Sequence, residues 1–251
     1  MEVGKKQLWY GSSRRPYPGN EPWYFKVKDF PWAMALEDNW PAWQEEISNF
    51  IKEKDDKFVS TATFYGGLDT AKSWSAITSL FWGLKISNEF DKKCPKMDKL
   101  LKQIPGLVSV TISRLSANSK IGEHEGDTNG IMRCHIGIEI PGVLPECGFK
   151  VNGESQSWEN GKCLIFNDAY KHSAWNNTDK RRIIIIMDVI RPEFMNKKTL
   201  ICASILARHV SYIYNKTTII NKMPVFMKTL LFGFVMMIVI IGKPIYNLFK
   251  G

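Results

Sequence analysis

Several common classes are excluded by what the chain lacks. Its 251 residues hold 5 cysteines (Cys94, Cys134, Cys147, Cys163 and Cys202). They are odd in number, widely spaced and without a C-x-x-C pair, so neither a zinc knuckle nor a disulfide framework is expected, and a reducing compartment suits them. The first 25 residues contain no apolar run, and a cleavable signal peptide is not expected. No internal repeat is evident. Acidic residues are in deficit, 25 against 34 Lys and Arg, for a net charge of +9. Such an excess invites a nucleic-acid reading. The basic residues are scattered, however, and form no stripe interleaved with aromatics, so nucleic acid is not an expected partner. Lys216, Lys222, Lys228, Lys243 and Lys250 instead flank or punctuate an apolar C-terminal stretch, a pattern that fits anionic lipid headgroups.

What is present divides the chain in three. Residues 1–30 are rich in Gly, Pro and aromatics and read as an irregular arm. From Pro31 to about Lys54, apolar residues at helical intervals (Trp43, Ile47, Phe50, Ile51) predict a helix, with Asn39 as its N-cap and Pro41 in its first turn. A second helix is expected around Lys96–Gln103. The runs 107–116, 131–140, 163–166 and 182–190 are β-rich and separated by turns such as 127–130 and Asn152-Gly153. Short strands without long intervening helices predict an antiparallel barrel or jelly roll, and an α+β chain overall. Ile183–Ile186 is apolar on both faces and should lie in a central strand. The barrel-bearing domain is expected to span 31–194. Residues 195–251 form a tail, with a helix over 197–214 and a nearly unbroken apolar window at 224–242, about the length of a membrane span. A helix buried in the protein or lying in the membrane surface is the alternative. Lysine is denser before the window than after it, which would keep the body on the cytoplasmic side.

Only four histidines occur: His124, His135, His172 and His209. His124 and His172 sit beside turns, where a barrel mouth can host an open metal site. Non-haem iron(II) oxygenases commonly use two His and one carboxylate. The usual H-x-D/E step reads His124-Glu125-Gly126 here, so spacing alone leaves the carboxylate missing. Glu125, the neighbour, would point the other way in extended chain. Glu125 and Asp127 remain possible iron neighbours.

The string HEGDTNGIMRCHIGI (124–138), followed by the block WENGKCLIFNDAYKHSAWNNTDKRRIIIIMDVIRPE (158–193), resembles the aspartyl/asparaginyl β-hydroxylase family. Asn167 stands where that family often has Asp, and Ile190 where it often has an aromatic. The resemblance covers about residues 105–193 and, more weakly, the lead-in from Phe30. It implies a double-stranded β-helix (jelly-roll, cupin-like) barrel with N-terminal packing helices. It also implies iron(II) held by His124 and His172 alone, with Gly in place of the acid, and 2-oxoglutarate and O2 as co-substrates. By the same match 2-oxoglutarate lies against Ser113, Arg133, His135 and Arg182. A dicarboxylate would give a buried Arg182 the anionic partner it needs. On a strand, Arg133 and His135 share a face that Cys134 does not.

The resemblance implies oxidative hydroxylation of a C–H bond, with Asp or Asn side chains of a peptide as substrate. A lipid acyl chain is the alternative, since the same domain type occurs in lipid A hydroxylases and this tail seeks membranes. A non-catalytic barrel that binds metal or a dicarboxylate is a third reading; a zinc hydrolase lacks a third ligand and a base. Among the residues, Arg133 could instead form an ion pair with Asp168 or Glu139. His135 could be a packed core histidine, and Arg181 could replace Arg182 if the register slips by one. Trp158 and Trp175 fit barrel-edge packing or substrate stacking.

Overall fold

The computed structural model describes residues 7–11, 16–61, 73–215 and 222–250. Two antiparallel sheets face each other. The large one runs in the order β1 (Tyr24–Phe25), β10 (Cys163–Phe166), β7 (Ile131–Glu139), β12 (Arg182–Ile190), β5 (Leu107–Leu115), β3 (Trp74–Phe81), β2 (Val59–Ser60), with β4 (Leu84–Lys85) paired to β3. The small one is β6 (Ser119–His124), β11 (His172–Asn176), β8 (Cys147–Val151), β9 (Glu154–Gln156). From β5 onward the chain passes back and forth between the sheets, β5, β7, β10 and β12 in the large one and β6, the β8–β9 hairpin and β11 in the small one, which is the double-stranded β-helix expected of the family resembled. The four strands read from the sequence are found within a residue or two of their predicted ends. β12 is hydrogen-bonded along its length to both β5 and β7 and is central, as its two-sided apolar run required.

Alternation along β12 divides the core. Ile183, Ile185 and Met187 face outward, beneath Leu36, Trp43, Ile47, Phe50, Ile51 and Met97. These come from α1 (Pro31–Asp38), α2 (Trp40–Glu53) and α4 (Pro95–Leu101), with α3 (Glu89–Lys93) beside them. Each fully buried isoleucine contributes about 2–3 kcal/mol relative to exposure. The intervening residues, Arg182, Ile184, Ile186 and Asp188, face the space between the sheets, where Ile184 meets Leu115, Phe149, Trp158 and Phe166. The predicted single helix over 31–54 is two. Asn39 does not cap the second through its side chain; its Nδ2 donates back to Ala35 O, closing the first. Pro at the second position of α2 restarts the helix there.

Nor is the arm wholly irregular. β1 extends the large sheet, and Tyr10 bridges Thr128. Helix α5 (Lys198–Asn215) closes one end of the barrel: Ile201, Ile205 and Leu206 pack on Trp82, Val108, Ile131 and Ile190. Those four sit where β3 and β12 finish and β5 and β7 begin. Helix α6 (Val225–Lys250) follows; its stretch Phe226–Phe249 is long and apolar enough to cross a membrane, extending past the predicted 224–242.

Candidate active site

His124 ends β6, His172 begins β11, and the two are register partners across that strand pair. Their ring centroids are 4.2 Å apart. His124 Nδ1 is 2.8 Å from Gly122 O, and His172 Nδ1 is 2.8 Å from Tyr170 O. A carbonyl can only accept, so each Nδ1 carries the proton and each Nε2 presents its lone pair. Metal-binding histidines are typically oriented by this kind of backbone contact. Burial lowers the pKa of both rings, and for His172 the proximity of His124 lowers it further. The imidazoles are therefore neutral, the form that ligates.

The position two residues past His124 is Gly126. A Cβ built there would lie 1.7 Å from Asp168 Oδ2. The carboxylate absent from the H-x-D/E step is thus replaced in space by one from the loop before His172. Asp168 is fully buried, and its Oδ1 stands 3.6 Å from His172 Nε2. Arg133 Nη1 approaches Asp168 Oδ1 to 2.6 Å, an ion pair without hydrogen-bond alignment. Burial raises the Asp168 pKa, while Arg133 opposes the rise and Asp188 adds to it. Among the described residues no group of three or more His, Cys, Asp and Glu is gathered to cage a metal. Two neutral imidazoles with open positions and an adjacent carboxylate suit a ligand-exchanging iron(II) ion.

Arg133 is held by Asp188, Nε to Oδ1 at 2.6 Å and Nη2 to Oδ2 at 3.1 Å. The two are cross-strand partners between β7 and β12. His135 is the next inward residue of β7 and is register-paired with Ile186. It is buried, its Nδ1 accepts from Trp158 Nε1 at 3.3 Å, and Phe149 and Phe166 flank its ring. Its pKa is lowered by burial and by the neighbouring cations.

Arg182 lies at the opposite end of β12 from Asp188, deep between the sheets. It is 1% exposed, with its guanidinium 4.7 Å from the Trp158 ring centroid. Its Nε and Nη1 have no hydrogen-bond partner among the described residues. Burial pulls its pKa down to about 10, with the Cys147 thiol opposing. A buried cation without a counter-charge is costly, and a carboxylate ligand would relieve that cost. Ser113 faces the same interior; its Oγ accepts from Trp74 Nε1 at 2.9 Å. The residues therefore fit a dicarboxylate reaching from the histidine pair toward Arg182.

The chain matches the model of the aspartyl/asparaginyl beta-hydroxylase family over residues 37–192. It belongs to that family. It is 32% identical over 176 residues to an ornithine lipid ester-linked acyl 2-hydroxylase of Rhizobium tropici, covering 69% of this chain and 62% of that protein. It is 29% identical over 166 residues to the human aspartyl/asparaginyl beta-hydroxylase, covering 64% of this chain and 21% of that one. The chain thus spans only part of the length of the curated relatives it matches. A viral collagen prolyl hydroxylase from Paramecium bursaria Chlorella virus-1, solved with 2OG, aligns at 9% identity and a TM-score of 0.38, over 59% of this chain and 89% of that one.

Six residues expected at the family's site (Ser113, His124, Arg133, His135, His172 and Arg182) all point into one barrel. Of the two neighbouring arginines, Arg182 is the one that faces the interior. Arg181 faces out, with Nε 2.8 Å from Glu139 Oε2 and a close Nη1 contact to Asp55. Glu139 is therefore not the partner of Arg133; Asp168 and Asp188 are. Trp175 donates to Pro145 O, and His209 packs against Phe81, away from the barrel interior. The sequence reading offered Asp168 as an ion-pair partner of Arg133, which is found, but missed its place beside the histidines, the Asp188 fork and the stacking of Trp158 on Arg182. The Asp168-x-x-x-His172 spacing was the available signal for the first.

Proposed function

We propose that this family member is an iron(II)- and 2-oxoglutarate-dependent hydroxylase. One observation carries the reading: two histidines with Nε2 lone pairs face each other at one end of a barrel whose interior also holds a buried arginine with no carboxylate against it among the described residues. His124 and His172 would hold the metal, with the Asp168 carboxylate, paired to Arg133, beside it. Arg182, with Ser113 nearby, would take one carboxylate of 2-oxoglutarate bidentately, as a planar guanidinium does. Arg133 and His135 would line the path between, Arg133 kept in place by its fork to Asp188. Bound iron(II), with 2-oxoglutarate and O2, supplies the oxidising power: decarboxylation to succinate and CO2 leaves one oxygen atom for a substrate C–H bond. The chain's share is to bind, orient and exclude water; Phe149, Trp158 and Phe166 line the interior with apolar surface.

For substrate, a lipid acyl chain is supported by two observations. The Rhizobium relative is an acyl 2-hydroxylase. Helix α5, which leads to the apolar α6, packs beside the histidine end of the barrel, where a Cβ at Gly130 would lie 2.9 Å from Ile201 Cδ1. Asp or Asn side chains of a peptide form the second reading, supported by the human relative. Membrane association is supported by the apolar tail, and the cytoplasmic side is the reading supported by the lysines that precede it. The test supplies the purified protein with iron(II), 2-oxoglutarate and either a lipid extract or Asp/Asn peptides. Succinate release coupled to one added oxygen on the lipid is expected. Oxygen gained by peptide alone would favour the second reading. No succinate with any substrate, and none by uncoupled turnover, would leave a non-catalytic binding barrel.

A further inference from the structure

Helix α6 has the length and hydropathy of a membrane span, yet its faces are unequal. Partly buried residues recur along it at Lys228, Phe232, Met236, Val239, Lys243 and Asn247, one stripe at helical spacing. That stripe rests on the body of the protein. Ser204 Oγ of α5 donates to Met236 Sδ at 3.6 Å, and Val239 packs against the cluster under α5. Near the far end, Lys243 Nζ donates to Trp82 O at 3.3 Å and Asn247 Nδ2 to Gly83 O at 2.8 Å, while Lys85 N donates to Asn247 Oδ1 at 3.1 Å. The opposite face carries Phe226, Leu230, Phe234, Ile241, Ile245 and Leu248, all more than half exposed.

These contacts are hard to reconcile with a crossing. A helix of 24 residues is about 36 Å long, the full thickness of the hydrocarbon. Contacts to the body occur from its middle to its last turn, so a spanning α6 would carry α5 and the β3–β4 turn into lipid with it. The charge distribution points to what covers the bare face. After Glu193 the chain contains eight Lys and Arg and no Asp or Glu, so nearly all of the net +9 belongs to the segment that carries α5 and α6. An apolar face within a wholly cationic segment matches an anionic membrane surface, not a second copy bearing the same charge.

We propose that α6 is an in-plane anchor, with its outer face in one leaflet of an anionic bilayer and its inner stripe fixed to the catalytic body. The barrel end that holds His124 and His172, which α5 closes, then sits beside the lipid. The proposal rests on the reading that the tail meets lipid, and not on the hydroxylation chemistry.

All five native cysteines are buried, so a single added thiol on the outer face can be labelled selectively. The full-length variants F226C, F234C, I241C and L248C, each bearing a nitroxide, are mixed with phosphatidylcholine vesicles with or without phosphatidylglycerol. Flotation and label depth are then measured. Flotation that requires phosphatidylglycerol, with all four labels at one shallow depth of roughly 5–10 Å, is expected. Labels at 234 and 241 near the bilayer centre, with 226 and 248 at opposite surfaces, would overturn the in-plane placement and leave membrane association standing. No flotation with either vesicle, together with self-association through this face, would overturn both.

Discussion

Replacing Arg182 by Met should stabilise the ligand-free protein while abolishing its response to 2-oxoglutarate. Arg182 is 1% exposed, and two of its guanidinium nitrogens lack hydrogen-bond partners among the described residues. Burial pulls its pKa from 12.5 to about 10, equivalent to about 3 kcal/mol against the charged form. Stacking on Trp158 returns about 1 kcal/mol. Methionine has a similar length and no charge to desolvate, so a net gain of about 1–2 kcal/mol is expected. For a chain of this size that raises Tm by roughly 2–8 °C. Because the charged form is the disfavoured one, the penalty is full at every pH below about 10 and fades only as Arg182 deprotonates above it. The gain should therefore be constant across the neutral range. Saturating 2-oxoglutarate, at a hundred times its Kd, should stabilise the parent by about 2.7 kcal/mol and R182M by nothing. Calorimetry with and without 2-oxoglutarate decides the matter. A variant that melts below the parent without ligand and still gains from 2-oxoglutarate would refute the reasoning.

Removing either imidazole, in H124A or H172A, should lower succinate formation and bound metal by at least about 100-fold, measured by turnover and by metal content after dialysis. R181L removes only partly exposed pairs with Glu139 and Asp55, so it should cost less than about 1 kcal/mol and leave 2-oxoglutarate binding intact, a direct contrast with R182M in the same calorimetric assay. D188A removes the two-bond fork on Arg133 but leaves its contact with Asp168, so a loss of about 1.5–3 kcal/mol in denaturant unfolding is expected. G126A forces its new Cβ against Asp168, including the backbone oxygen at 2.6 Å, so a rotamer change cannot relieve it. A loss of about 1–3 kcal/mol and weaker metal binding are expected by thermal melting and titration.

The long strands of the large sheet were legible because their signal is local: Leu107–Leu115, Ile131–Glu139 and Arg182–Ile190 are long β-branched runs whose burial on one or both faces is written in period two. The short strands of the small sheet, such as Ser119–His124 and Cys147–Val151, have mixed composition. Only pairing with their neighbours makes them strands. The irregular arm acquired β1 for the same reason, through a sheet edge supplied by residues about 140 positions away.

By itself the sequence determined the family, the alternation that turns Arg133 and His135 to one face, and the apolar tail. Only the tertiary structure could bring His124 to His172, choose Arg182 over its neighbour, and put the Asp168 carboxylate where Gly126 leaves room. It also laid α6 along the body instead of away from it. Periodicity fixes which face of an element is apolar. Which distant element meets that face is set by register and packing between segments far apart in the chain.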